Sequence, residues 1–144
     1  WSQVASKIIS KGKILAVDLS PMEKIEKVIF LKNDFLEKET QEKIFNIFGK
    51  KIDVIISDMA ENTTGNKSLD SIRTNNLCSE VINFSLIMLN KKGTMICKLF
   101  MGEDFLEVKN LAKNNFKNVD FFKPESSKNE SKETYIICSI LKPL

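Results

Sequence analysis

Val4, Ala5, Ile8 and Ile9 recur at three- and four-residue intervals, so residues 1–11 predict a short helix stopped by Gly12. The period then changes. Ile14-Leu15-Ala16-Val17 is an unbroken apolar run closed by Asp18, and Val28–Leu31 is a second, followed by Asn33-Asp34-Phe35. Both predict strands, with Pro21 enforcing a turn after the first. Residues 39–48 carry Ile44, Phe45 and Phe48 on the apolar side of a helix, with Gly49 behind them. Ile52–Ile56 predicts a third strand, apolar enough to be covered on both faces. Polar residues from Ser57 to Ser71 predict a long loop, and a helix follows over 71–89 with Lys91-Lys92-Gly93 at its end. Thr94–Phe100 predicts a fourth strand, 104–115 a helix and 118–122 a fifth strand. After the polar segment Pro124–Lys132, residues Thr134–Leu141 form the clearest strand of all.

Strands alternating with helices predict an α/β fold with a mainly parallel sheet. A chain of 144 residues with no repeat and no low-complexity block predicts a single domain, 1–144. Composition narrows the function. No 18-residue apolar run exists, so no spanning helix is expected and no membrane partner. Cys78, Cys97 and Cys138 are odd in number and far apart, forming neither a disulfide framework nor a CxxC pair, which suits a reducing compartment such as cytoplasm or an organelle matrix. Histidine is absent, which removes histidine-based triads and most catalytic zinc sites, and no metal is expected. Net charge is +3, and of the 22 basic residues only Arg73 is arginine. This excess permits an anionic partner without requiring one.

In open parallel sheets, ligands bind beyond the carboxyl ends of the strands. Asp18, Asp34, Asp58 and Lys98 stand at such ends, and Glu133 directly precedes the final strand. Asp18 suits the hydroxyls of a ribose and Asp34 an adenine amine, but either is equally a loop cap. Asp58 suits an ammonium group or a substrate hydroxyl. Lys98 lies within Met95-Ile96-Cys97-Lys98-Leu99-Phe100; on an edge strand it is an ordinary solvated lysine, and on an internal strand a partly buried amine. Glu133 is in place to hold it by a charge-assisted hydrogen bond, or is a surface residue. Lys123, Lys128 and Lys132 flank Glu133 and suit a phosphate backbone, or form a solvated face. Tyr135 and most phenylalanines are expected in the core.

Five segments, Val17-Asp18-Leu19-Ser20-Pro21-Met22, Asn33-Asp34-Phe35, Asp53–Ala60, Cys97-Lys98-Leu99-Phe100 and Ser131-Lys132-Glu133-Thr134-Tyr135, resemble in order and spacing the FtsJ/RlmE-like ribosomal RNA 2'-O-methyltransferases. The resemblance runs over essentially the whole chain. It implies a Rossmann-like methyltransferase sheet with an antiparallel last strand, and S-adenosylmethionine as cofactor. It further implies that Asp58, Lys98 and Glu133 are the last three members of a Lys-Asp-Lys-Glu catalytic set, with Lys98 deprotonating or orienting the ribose 2'-hydroxyl. Asp18 would hold the cofactor ribose and Asp34 its adenine; Leu19, Phe35, Asp58 and Met59 would line the same pocket. The first strand, the glycine-rich loop and the first catalytic lysine of that family precede the position of Trp1. The opening Trp1-Ser2-Gln3 resembles the end of that loop, which makes Trp1 a cofactor contact and predicts a chain lacking its N-terminal segment. Glu61 replaces the proline common after Asp-Met-Ala, and lysines at 128 and 132 stand where arginine is common.

The implied substrate is ribosomal RNA, a large-subunit uridine in an assembled particle. Transfer RNA or an mRNA cap is a neighbouring alternative. A non-catalytic RNA-binding or assembly protein is a competing class, and an NAD-dependent oxidoreductase another, since an acidic strand end also suits that cofactor's ribose.

Overall fold

The computed structural model describes residues 1–60, 64–102, 104–125, 127 and 131–143. The chain forms two compact units, Trp1–Lys50 and Lys51–Leu144. In the first, helix α1 (Ser2–Ile8) precedes the parallel strands β1 (Ile14–Asp18) and β2 (Val28–Lys32), which pair from Ile14 with Val28 to Asp18 with Lys32. Helix α2 (Lys38–Phe48) follows, its end closed by the Gly49 N–H donating to the Phe45 carbonyl. Lys13 Nζ reaches the Ile47 carbonyl at 2.6 Å, tying the strand entry to the end of α2.

The second unit is a four-stranded sheet in the order β3-β4-β6-β5, with β3 at Ile52–Ser57, β4 at Leu89–Phe100, β5 at Phe116–Phe122 and β6 at Glu133–Leu141. Helices α3 (Lys67–Met88) and α4 (Phe105–Asn115) make the connections. Strands β3 and β4 run parallel, and β6 runs antiparallel to both of its neighbours. The mainly parallel α/β architecture is as the pattern of strands and helices predicts, and the antiparallel final strand is as the family resemblance implies.

Two-residue alternation in β4 and β6 divides the sheet into two chemically different faces. Met95, Cys97 and Leu99 on β4 and Ile136 and Cys138 on β6 are fully buried. On that side α3 packs against β4, and α4 against α3 and β5; Val81, Ile82 and Met88 of α3 and Val108 and Ala112 of α4 are buried as well. Thr94, Ile96, Lys98 and Phe100, with Glu133, Tyr135 and Ile137, occupy the opposite face and are half-buried. Among the described residues, β3 is not covered on both faces as its apolar run predicts: Val54 and Ile56 are 53% and 48% exposed. They share the half-buried face, Ile56 being paired with Ile96.

Two boundaries depart from the sequence pattern. Helix α3 begins at Lys67 rather than 71, because the Asn66 side chain caps it, accepting from the Ser68 and Leu69 N–H groups. Its first buried positions are Ser71, Thr74 and Asn75, so an apolar stripe could not mark them. Lys91-Lys92-Gly93 belongs to β4 rather than to a helix end. A Cβ at Gly93 would lie 2.7 Å from Leu89 Cγ and 2.9 Å from the Asp53 carbonyl, so the close approach of these strands requires glycine. No helix among the described residues is long and apolar enough to cross a membrane.

All three cysteines are free and buried. The hydrogen bond between Cys78 and Cys97, with burial, drives the Cys78 thiol far above the ordinary range. Burial, with Cys97 and Asp120 adding, pushes Cys138 up to about 12. Since the thiolate is the reactive form, a chromogenic disulfide reagent at pH 8 should label the folded protein at less than about 1% of the unfolded rate. In denaturant all three thiols should react. Fast labelling of the folded protein would contradict this core packing.

Candidate active site

The register brings the site together. On β3 and β4, Ser57 pairs with Cys97, so the next residue of each strand, Asp58 and Lys98, emerge side by side at the carboxyl end of the parallel pair. On β4 and β6, Lys98 pairs with Tyr135 and Phe100 with Glu133. Because β6 is antiparallel, its beginning lies where β4 ends, and a residue opening a strand joins residues closing two others.

Lys98 is thus on an internal strand. Its side chain is only 13% exposed, with Nζ 2.9 Å from Asp58 Oδ1 and 3.6 Å from Glu133 Oε1. Tyr135 donates its hydroxyl to the same Asp58 oxygen at 3.0 Å. Burial alone would lower the lysine pKa, but the Asp58 hydrogen bond and charge, joined by Glu133, outweigh it and hold Lys98 above its ordinary value. Lys98 is therefore an ammonium at neutral pH. Tyr135 is raised as well, by burial first and then by its bond to the Asp58 carboxylate, so it remains a neutral donor.

Tyr135 is the residue that the sequence reading assigned to the core. The signal was present: Glu133, Tyr135 and Ile137 stand at every second position, alternating with Thr134, Ile136 and Cys138, which puts Tyr135 on the face of Glu133. Asn75 of α3 is a second omission. Fully buried, it donates to the Phe100 carbonyl and to Asp104 Oδ1, both at 3.0 Å, and accepts from the Phe100 N–H at 2.8 Å. It clamps the end of β4 two residues beyond Lys98 and the residue that opens α4. Just outside that clamp, a Cβ at Gly102 would sit 2.1 Å from Ser71 Oγ, so glycine lets the loop lie against α3.

The flank of the site is also tied. Met101 donates its N–H to the Lys132 carbonyl at 2.9 Å, and Lys123 Nζ reaches the Ser131 carbonyl at 2.6 Å. Lys123 and Lys132 are exposed beside Glu133, and Lys128 lies outside the described residues. Met59 follows Asp58, half-buried, with its N–H on Ser57 Oγ at 3.5 Å.

In the first unit, Asp18 and Asp34 stand at the ends of adjacent parallel strands, as read from the sequence. Each commits one oxygen to its own loop: Asp18 Oδ1 accepts from the Ser20 N–H at 2.8 Å, and Asp34 Oδ1 from the Leu36 N–H at 2.9 Å. Leu19 is exposed, Phe35 half-buried, and Trp1 exposed at the N-cap of α1.

Residues 1–140 match the FtsJ-like methyltransferase family. The chain is 49% identical over 142 residues to the ribosomal RNA large subunit methyltransferase E of Pelagibacter ubique, covering 99% of this chain and 70% of that protein. It is 44% identical over 143 residues to the methyltransferase of the same name from Rickettsia akari, covering 95% of this chain and 63% of the relative. Among solved structures, a Plasmodium falciparum protein assigned as a ribosomal RNA methyltransferase aligns with a TM-score of 0.79 at 29% identity, covering 91% of this chain and 73% of that one.

Two outcomes follow from the site geometry. With a folded pKa above its unfolded value, Lys98 contributes stability that is complete below about pH 10.4 and is lost as pH rises through the folded value. Urea denaturation of wild type and Lys98→Met should therefore differ near neutrality and converge at strongly alkaline pH; a constant difference would contradict the ion pairing. Asn75→Ala would leave the Phe100 backbone groups without their partner and should lower stability by about 2–3 kcal/mol in the same measurement.

Proposed function

The chain belongs to the FtsJ-like methyltransferase family, and on that premise we propose that it methylates the ribose 2'-hydroxyl of RNA, with large-subunit ribosomal RNA as substrate. S-adenosylmethionine is the proposed cofactor, and cytoplasm or an organelle matrix the compartment. The observation that carries the reading is the single ammonium, Lys98, held between Asp58 and Glu133 at the carboxyl end of an internal strand.

The donor set suits that cofactor. Asp18 and Asp34 offer carboxylates at neighbouring strand ends, fitted in chemistry to a ribose diol and an adenine amine, and Trp1, Leu19, Phe35 and Met59 are proposed as the cofactor's apolar contacts. When bound, the cofactor supplies a methyl group activated by its sulfonium charge. With Lys98 counted as +1 and Asp58 and Glu133 as −1 each, the cluster carries a net −1, which favours a cationic group nearby. In this reading both units serve one methyltransferase domain.

Lys98 acts as a charged donor rather than as a free base. Its raised pKa keeps the proton on Nζ, where the ammonium orients the 2'-oxygen and stabilises the negative charge that develops on it. Asp58 and Glu133 hold the ammonium in place and are the carboxylates available to take the hydroxyl proton. Tyr135 fixes the Asp58 oxygen that faces Lys98. Lys123 and Lys132, exposed beside Glu133, are the phosphate contacts of this reading, with Lys128 a third by its place in the sequence, which makes RNA binding salt-dependent.

Transfer of labelled methyl to ribosomal RNA, located at the 2'-oxygen by resistance of the labelled linkage to alkali, tests the proposal. Lys98→Ala should lower the transfer rate at least about 100-fold while leaving S-adenosylmethionine affinity, followed by calorimetry, within about twofold. RNA binding by a wild-type protein that takes up no S-adenosylmethionine would overturn the enzyme reading in favour of an assembly protein.

A further inference from the structure

Phe122 closes the edge strand β5 and is 53% exposed. Its neighbour Phe121 faces the other way, its ring 5.1 Å from that of Phe105 on α4. Phe122 pairs with Tyr135 across β5 and β6, and Tyr135 pairs with Lys98 across β6 and β4. Directly paired residues project from the same face of a sheet, so Lys98, Tyr135 and Phe122 form one row across three strands. With adjacent strands about 4.8 Å apart, Phe122 stands about 10 Å from the Lys98 position.

From this row we infer that Phe122 is a stacking platform for an unpaired base of the RNA, next to the nucleotide whose ribose meets Lys98. The inference rests on the RNA substrate proposed above. The row offers, in order, an ammonium, a phenol and a phenyl ring, which suits a ribose at one end and a base at the other. Lys123 follows Phe122 directly, its Nζ on the Ser131 carbonyl, and Lys132 is exposed just before β6, so exposed lysines adjoin the ends of both strands of the row. An exposed aromatic edge among lysines fits a nucleobase attached to phosphates better than it fits the apolar surface of a protein partner. Stacking is indifferent to base identity, so this platform holds the strand without selecting its sequence.

Fluorescence anisotropy with a labelled 12-nucleotide oligouridylate, and with its ribose-phosphate analogue lacking bases, tests the assignment. Phe122→Leu keeps apolar bulk and removes the aromatic face; it should weaken binding of the oligouridylate about tenfold and leave the base-free analogue unaffected. Phe122→Trp should bind the oligouridylate at least as well as wild type. Unchanged affinity in Phe122→Leu, an equal loss on the base-free analogue, or a loss in Phe122→Trp matching that of Phe122→Leu would overturn the platform. Unchanged RNA affinity with altered self-association in sedimentation would assign this face to protein contact instead. Methyl transfer by wild type, measured in parallel, separates the two readings. Transfer with indifferent Phe122 variants removes the platform alone, whereas stacking without transfer removes the proposed reaction and leaves the platform standing.

Discussion

An ammonium that is 13% exposed has lost most of its water, and it stays charged only where the protein replaces that water with negative charge at hydrogen-bonding distance. In this protein that replacement is Asp58 at 2.9 Å and Glu133 at 3.6 Å. The requirement fixes more than three side chains. It requires β4 to be internal, β3 to end level with it and β6 to begin level with it. A parallel last strand would deliver its opening residue to the far end of the sheet, so the antiparallel direction of β6 is what makes Glu133 available.

Holding those ends level falls to groups away from the charges. The buried polar beginning of α3 is shaped for the backbone at the end of β4 rather than for an apolar core. Asn75 satisfies both backbone groups of Phe100, and Gly102 lets the following turn lie against Ser71. A side-chain amide used in this way works as an added strand edge, giving the final residue of β4 the order of a mid-sheet position.

Much of this was legible in the residues. Apolar runs closing on an acidic residue located Asp18 and Asp58, because a strand end is where burial stops and chemistry becomes accessible, and Lys98 stood out as the one charge inside Met95–Phe100. Period-two alternation before Ile136 held the position of Tyr135, although an aromatic residue in an apolar strand invites a core assignment. The role of Asn75 was not legible: its partners are backbone atoms of Phe100, 25 residues away, and no local period encodes such a bond, while the start of α3 was hidden by the polar character of its first buried positions. The exposure of Val54 and Ile56 was hidden for a related reason. An apolar side chain reports a preference for burial but not whether its face is covered.

The two hydrogen bonds that end at Ser131 and Lys132 have a consequence for the carboxylate that follows them. The Lys123–Ser131 and Met101–Lys132 contacts hold the backbone immediately before Glu133. The backbone directly before Glu133 is thus held from two sides, and the carboxylate keeps its register to Lys98 as a fitting bolted at its own base would, whatever side chains its neighbours carry.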